Sequence, residues 1–251
     1  MGSGRFESFV VASGESDIWV GYNCRDGISG SLRDPARLRN AAQVALEAAR
    51  ADIVAYAQKH PTFLESLEPL PADAAAPPVV AAMLEAGFAA GVGPMAAVAG
   101  AIAELVGRAL VHEFPLSEIV VENGGDLWIQ VRKPLRVSVY AGLSSLSDKV
   151  AVEIDAGRST GLACSSGTVG PSLSFGRSDA AVVLAENAAL ADAWATALGN
   201  RVHQTGDLEP AVATIIASGK TSATNPTGAL AILGDRMAAA GAIRLGPGTA
   251  S

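Results

Sequence analysis

Cysteine is nearly absent from this chain, and the two present, Cys24 and Cys164, lie far apart with no CxxC pairing. A disulfide framework and a zinc site are both poorly supported on that count, and two reduced thiols in a cytosolic protein are expected. Histidine is as sparse. His60, His112 and His203 accompany no nucleophile motif such as GxSxG, so no hydrolytic triad reads out and no catalytic residue is assigned. Positive charge is also short, with 18 Lys and Arg against 25 Asp and Glu, a net −7, and no basic run. Neither nucleic acid nor an anionic membrane suits such a surface as principal partner. A phosphate ligand remains open, because backbone N–H nests and metal ions hold phosphate without a basic patch. The opening MGSGRFESFV lacks the charged-then-apolar pattern of a secretory signal, and a cytoplasmic location is the expectation.

Aromatics make up only 5% of the residues although 49% are apolar, so the core must be built from Ala, Val and Leu with backbones in close approach. Residues 86–103 (AGFAAGVGPMAAVAGAIA) are uncharged over roughly the length of a membrane span. They are Ala- and Gly-rich rather than Leu- and Ile-rich, and Gly93-Pro94 interrupts them. A loop followed by a buried helix in a soluble protein is the expectation.

Residues 5–13 and 17–23 form β-rich runs around Gly14-Glu15-Ser16, a hairpin. Asp34-Pro35 supplies an N-cap and first-turn proline, and Leu38, Ala41, Ala45, Ala48, Ala49, Ile53 and Ala57 then recur at helical spacing to about Lys59, where His60-Pro61 stops them. Residues 67–78 (LEPLPADAAAPP) are an internal linker rather than a domain boundary, so residues 1–251 are taken as one domain. Helices follow over 79–90 and 94–111, the second with a small-residue face of Ala96, Ala99, Gly100 and Ala103. A hairpin spans 117–130 around Asn123-Gly124-Gly125, residues 135–140 continue the series as a third strand, and 151–154 add a fourth. A short helix over 209–218 precedes a last hairpin, 229–233 and 237–245, turned at Gly234-Asp235-Arg236. Strands in hairpins and helices in blocks predict an α+β fold, with antiparallel or mixed sheets packed on long Ala-rich helices.

Residues 161–200 hold the densest set of candidate site residues. Asn187 suits an N-cap and Gly199 a C′ position, so the helix between them sets Asp192 and Thr196 one turn apart, opposite Leu190, Trp194, Ala197 and Leu198. Around the carboxylate and the hydroxyl stand only Ala188, Ala189, Ala195 and Gly199, where a solvated face would carry Lys, Glu or Arg. Oxygen ligands of this kind suit Mg²⁺ or Ca²⁺, and Mg²⁺ takes only one or two protein carboxylates. A capping or pairing role for Asp192 accounts for the same residues equally well. The loop Ser165-Ser166-Gly167-Thr168-Val169-Gly170 could line an anion with N–H groups, although it is no Walker A loop and an ordinary Ser/Gly turn is the simpler account. Asn123-Gly124-Gly125-Asp126 is foremost a hairpin turn, one that would also let a ligand reach backbone beside a carboxylate. Cys164 reads as a buried structural thiol.

The order of these pieces resembles the ApbE superfamily: Asn123-Gly124-Gly125-Asp126, then Ser165-Ser166-Gly167, then 191–199 (ADAWATALG). An uncharacterised ApbE-like branch is closer still, through 93–104 (GPMAAVAGAIAE) and 165–179 (SSGTVGPSLSFGRSD). The likeness runs from about Gly93 to Asn200. It implies an α+β fold with a flavin-nucleotide pocket binding FAD or FMN, in which Asp192 and Thr196 are Mg²⁺ ligands. A backbone carbonyl near Ala163 or Cys164 assists them. The turn Asn123–Asp126 and the loop Ser165, Ser166, Gly167 and Thr168 contact the nucleotide. In the transferases such a site cleaves the FAD pyrophosphate and passes FMN to a Thr or Ser hydroxyl. The chain departs from that pattern in two places: 171–179 holds no histidine where transferases carry one, and Ala103-Glu104 stands where Lys-Gly is expected. The alternatives are a non-catalytic flavin- or pterin-binding protein linked to one-carbon metabolism, or an assembly factor that has kept only the fold. The small-residue helix faces would also suit a homodimer.

Overall fold

The computed structural model describes residues 4–27, 30–167, 175–218 and 224–248. In chain order the elements are β1 (Glu7–Ser13), β2 (Ser16–Cys24), α1 (Pro35–Lys59), α2 (Thr62–Glu65), α3 (Pro78–Ala90), α4 (Val98–Glu113), β3 (Leu116–Asn123), β4 (Asp126–Gln130), β5 (Leu135–Ser138), β6 (Val150–Ile154), β7 (Ser159–Ser165), β8 (Ala180–Ala185), α5 (Ala188–Gly199), α6 (Leu208–Ala217), β9 (Gly228–Leu233), β10 (Arg236–Gly241) and β11 (Arg244–Pro247). The architecture is α+β. Eight strands form one antiparallel sheet in the order β1-β2-β3-β4-β7-β8-β9-β10, and a second sheet has the order β11-β6-β5.

The large sheet is covered on both faces, and side-chain size assigns each face its partner. On β8 and β9, Ala181, Val183, Ala185, Ala229 and Ala231 face the helices. Val182, Leu184, Leu230 and Ile232 face the small sheet. Alanine on the helix side lets α5 and α6 lie close, while branched residues fill the wider gap between the sheets.

Local signals set most boundaries. Asp34 caps α1 by accepting the Ala36 N–H at 3.0 Å. Gly91, at φ +73°, ends α3 in the left-handed conformation that glycine tolerates best. The linker 67–77 is held on the fold, with Tyr56 donating to Asp73 at 2.9 Å and the Gly93 N–H to the Leu67 carbonyl at 2.9 Å. Residues 94–113 are long and apolar enough to cross a membrane by length and composition. Within them α4 packs into the core through its buried Gly100, Ala101, Ile102, Ala103, Val106, Gly107 and Leu110.

Several expectations need correction. The strand at 135–138 does not continue the β3–β4 series but leaves to pair with β6 in the small sheet. That sheet is needed because β4 is already paired on its free edge by β7. Strands β7 and β8 escaped the sequence reading, since β8 (AAVVLA) is buried on both faces and shows no alternation. The last hairpin turns at Gly234-Asp235, with Arg236 already paired to Leu233. Its second arm breaks at Gly241, φ +78°, and the chain crosses to the small sheet as β11. Residues 94–97 form a 3₁₀ turn ahead of α4. Gly199 is not a C′ residue but the last residue of α5, and Asn200 is the C-cap with right-handed backbone.

Candidate functional site

α5 lies along β7, beginning where Gly161 meets the Asn187 carbonyl so closely that a Cβ there would stand 2.2 Å from it. Asn187 caps the helix as expected, accepting the Leu190 N–H at 2.8 Å. All twelve residues of α5 are buried except Asp192 and Thr196, which are partly exposed. The two polar positions picked out by spacing are thus where this helix reaches open space.

Asp192 Oδ2 accepts the Gly100 N–H at 2.9 Å, and the Ala99 N–H also bonds the carboxylate. Both amides belong to the first turn of α4, so a side chain of α5 caps α4. Glu104, one turn further along α4, returns the favour: its Oε2 accepts the Ala188 N–H at the start of α5, at 2.7 Å. Contact is so close because residue 100 is glycine. A Cβ there would sit 2.2 Å from the Ala188 carbonyl oxygen and 3.0 Å from Asp192 Cβ.

The Asn123–Asp126 turn stands beside this crossing. Gly124 (φ +63°) and Gly125 (φ +104°) both occupy the left-handed half of backbone space, the requirement of a two-residue hairpin turn joining Asn123 to its partner Asp126. Asn123 is buried and donates to the Ala99 carbonyl at 3.1 Å. The Gly125 N–H is spent on Glu122 Oε1 at 2.9 Å. A Cβ at Gly124 would meet nothing within 4 Å, and one at Gly125 would come to 3.5 Å from the Cys164 carbonyl oxygen.

Electrostatically the site is overloaded with negative charge. Burial drives the Asp126 carboxyl well above the usual range, and the charges of Asp192 and Glu122 push it further against a hydrogen bond from the Cys164 amide. Burial likewise lifts Asp192 to about 7, opposed by the Gly100 and Ala99 amides. Cys164 is partly exposed rather than the buried thiol expected; desolvation, with Asp126 alongside, raises it to about 12, which keeps it protonated.

The structure therefore brings together Asn123, Gly124, Gly125, Asp126, Asp192 and the β7 segment carrying Ala163 and Cys164. Ala163 is fully buried on β7, opposite Val183. Ser165 ends that strand opposite Ala181. The Gly167 N–H donates to the Ser178 carbonyl at 2.9 Å, so this amide serves the continued β7–β8 pairing. Thr168, with Val169, Gly170 and the 171–174 segment, lies outside the described residues. Sequence reasoning missed Glu104 and Glu122. Glu104 had a signal: it is the first charged residue after Glu85 in an otherwise apolar stretch. Glu122 had none, because its role depends on the turn folding back on it.

An antiparallel sheet packed between helices and a smaller sheet, with Asp126 and Asp192 gathered where α4 and α5 cross, defines an α+β protein with an acidic site. The chain belongs to the family described as "AbpE bacteria", whose model matches residues 1–229. Among curated relatives it is 38% identical to a UPF0280 protein of Methanosphaerula palustris over 217 residues, covering 86% of this chain and 87% of that one. It is 44% identical to a UPF0280 protein of Methanothrix thermoacetophila over 186 residues, covering 73% and 75%. Its fold is similar to the apo form of the Pseudomonas stutzeri flavinyl transferase ApbE, with a TM-score of 0.57 at 15% identity over 94% of each chain.

Proposed function

We propose that this chain binds a flavin nucleotide, FAD or FMN, together with Mg²⁺, and acts at the FAD pyrophosphate by cleavage or FMN transfer. The observation that carries the proposal is the Asp126–Asp192 pair: desolvation raises both carboxyls, and among the described residues no Lys, Arg or His side chain pairs with either. A divalent cation is the natural complement of such a pair, and the donors are hard oxygens of the kind Mg²⁺ takes. Asp192, Thr196 and a backbone carbonyl at Ala163 or Cys164 would hold it. When bound, the cation supplies charge neutralisation at the phosphates. The chain's own part is positional. The Gly100 amide holds the Asp192 carboxylate through Oδ2, the Ala99 amide also bonds it, and Asp126 stands against the Cys164 amide. The open backbone at Gly124 leaves room for ligand on the turn. The UPF0280 name states no activity, and "flavinyl transferase" describes the Pseudomonas protein; the step from that name to this chain belongs to the proposal. A net charge of −7 supports a small-molecule ligand over nucleic acid or membrane.

A second reading, binding without transfer of a flavin or pterin, is favoured by the histidines. His60 caps the end of α1, His112 lies in the last turn of α4, and His203 sits beside Asp207. None of the three belongs to 171–179, where transferases carry theirs.

Thermal-shift measurement with FAD, FMN, ATP and pterins, each with and without Mg²⁺, tests the proposal. Stabilisation by FAD plus Mg²⁺ beyond either alone is expected, with AMP release from FAD separating enzyme from binder. A flat response across all ligands would sink both readings.

A further inference from the structure

Two hydrogen bonds cross between α4 and α5 in opposite directions. Gly100 N–H donates to Asp192 at 2.9 Å, and Ala188 N–H donates to Glu104 at 2.7 Å. Gly100 and Glu104 are four residues apart on α4; Ala188 and Asp192 are four apart on α5. The pairs are therefore one turn apart along an antiparallel crossing, and each helix ends on a carboxylate of the other. Each carboxylate meets the positive end of a helix dipole. Glu104 is further held by Arg108, whose Nε donates to Oε1 at 2.7 Å, leaving Oε2 for Ala188. Its side chain is 14% exposed, so the bond is largely shielded from water.

We propose that Glu104 is a positioning residue for the Asp192–Thr196 site. Sliding α5 along its axis by a fraction of a turn would carry Asp192 away from the Gly100 amide. The small residues at the crossing, Gly100 and Ala188, offer no side-chain interlock to resist that slide. The Glu104–Ala188 bond resists it, because it anchors the first residue of α5 to a helix that is itself held by the sheet. Glu104 thus sets which way the Asp192 carboxylate points toward a cation. The cation part rests on the function proposed above; the register part does not.

The test uses the full-length protein with Mn²⁺ as the probe, read by its electron paramagnetic resonance signal, together with amide hydrogen exchange at Gly100. Glu104→Ala is expected to weaken Mn²⁺ binding by about tenfold or more, the usual effect of removing a group that orients a metal ligand. It is also expected to speed exchange at Gly100, not only at Ala188. Glu104→Gln keeps an oxygen for the Ala188 N–H and should return both readouts to near wild type. Arg108→Ala removes the ion pair but not the cap; it should cost stability while leaving Mn²⁺ affinity and Gly100 exchange unchanged. Unchanged Gly100 exchange in Glu104→Ala, or an equal loss of both readouts in Arg108→Ala, overturns the proposal in favour of simple stabilisation. If wild type binds no Mn²⁺, the function proposed above fails on its own, and Gly100 exchange still decides the role of Glu104.

Discussion

Asp192 and Gly100, 92 residues apart in the chain, share a 2.9 Å hydrogen bond in which a carboxylate on one helix caps the first turn of another. This contact joins the two accounts of Asp192 that its sequence left open. The capping role is present in the fold, and it occupies Oδ2. A carboxylate offers about four lone-pair sites, more than two amides use, so a structural duty and a binding duty are compatible in one residue. The consequence is that substitutions must be chosen to separate them.

Asp192→Asn keeps a side-chain oxygen for the Gly100 amide while removing the charge. It should fold at least as stably as wild type in the absence of cation, because it lacks the cost of desolvating the charge, and lose the stabilisation that Mg²⁺ confers. Asp192→Ala leaves the amide without its acceptor and should cost about 1–3 kcal/mol in chemical denaturation. Equal Mg²⁺ stabilisation in wild type and Asp192→Asn would remove Asp192 from the ligand set.

The raised carboxyl of Asp192 makes a signed prediction about pH. Its folded value of about 7 lies above the ordinary 3.8. Below about pH 4 both folded and unfolded chains hold the proton and nothing is lost. Between those values only the unfolded chain releases it, so the stability of the metal-free protein declines as pH rises and the loss is complete above about 7. Asp126, raised in the same direction, adds to the trend. Mg²⁺ should therefore stabilise more at pH 8 than at pH 5, a difference read directly from melting curves with and without the ion. Equal gains at the two pH values would contradict it.

Gly100→Ala tests the closeness of the crossing. The added Cβ would meet the Ala188 backbone oxygen at 2.2 Å, and backbone cannot swing aside as a side chain tip can. Separation of α4 from α5 should cost about 3 kcal/mol or more, from overpacking and loss of both caps. At about 2–4 °C per kcal/mol for a chain of this size, the melting temperature should drop by roughly 6–12 °C. A change within 2 °C would show that the helices can part freely.

On β3, Glu118 ties down the Arg5 side chain. Burial pushes its carboxyl up, but Arg5 (2.7 Å), the Arg132 amide (2.8 Å) and Asn23 (2.9 Å) together outweigh it and bring the value down to about 2 from 4.5. The stability it contributes is present in full above about 4.5 and lost as pH falls through about 2, amounting to about 3 kcal/mol. Glu118→Gln should remove that component, flattening the acid limb of a stability-versus-pH curve while leaving the limb above pH 5 parallel to wild type.

Much of the architecture was legible in advance because it depends on neighbours in sequence. Asp34-Pro35 opens α1, Gly124-Gly125 turns a hairpin, and Asn187 caps α5, each through groups within a few residues. Strands β7 and β8 were not legible, since coverage on both faces erases the alternation by which a strand is recognised. Asp192 and Thr196 could be picked out by helical spacing against a background of alanine. Nothing in that spacing shows that they are the two partly exposed positions on α5.

What this sequence determined by itself is the set of local conformations and the position of its polar exceptions: which residues cap, which turn, and where a lone carboxylate interrupts an apolar helix. Only the tertiary structure decided which of those exceptions meet. The contacts Gly100–Asp192 and Glu104–Ala188, and the charge interaction of Asp126 with Asp192, join segments tens of residues apart. Their energies come from desolvation and from amides whose direction is set by whole helices. Local pattern carries no information about either until the layers have packed.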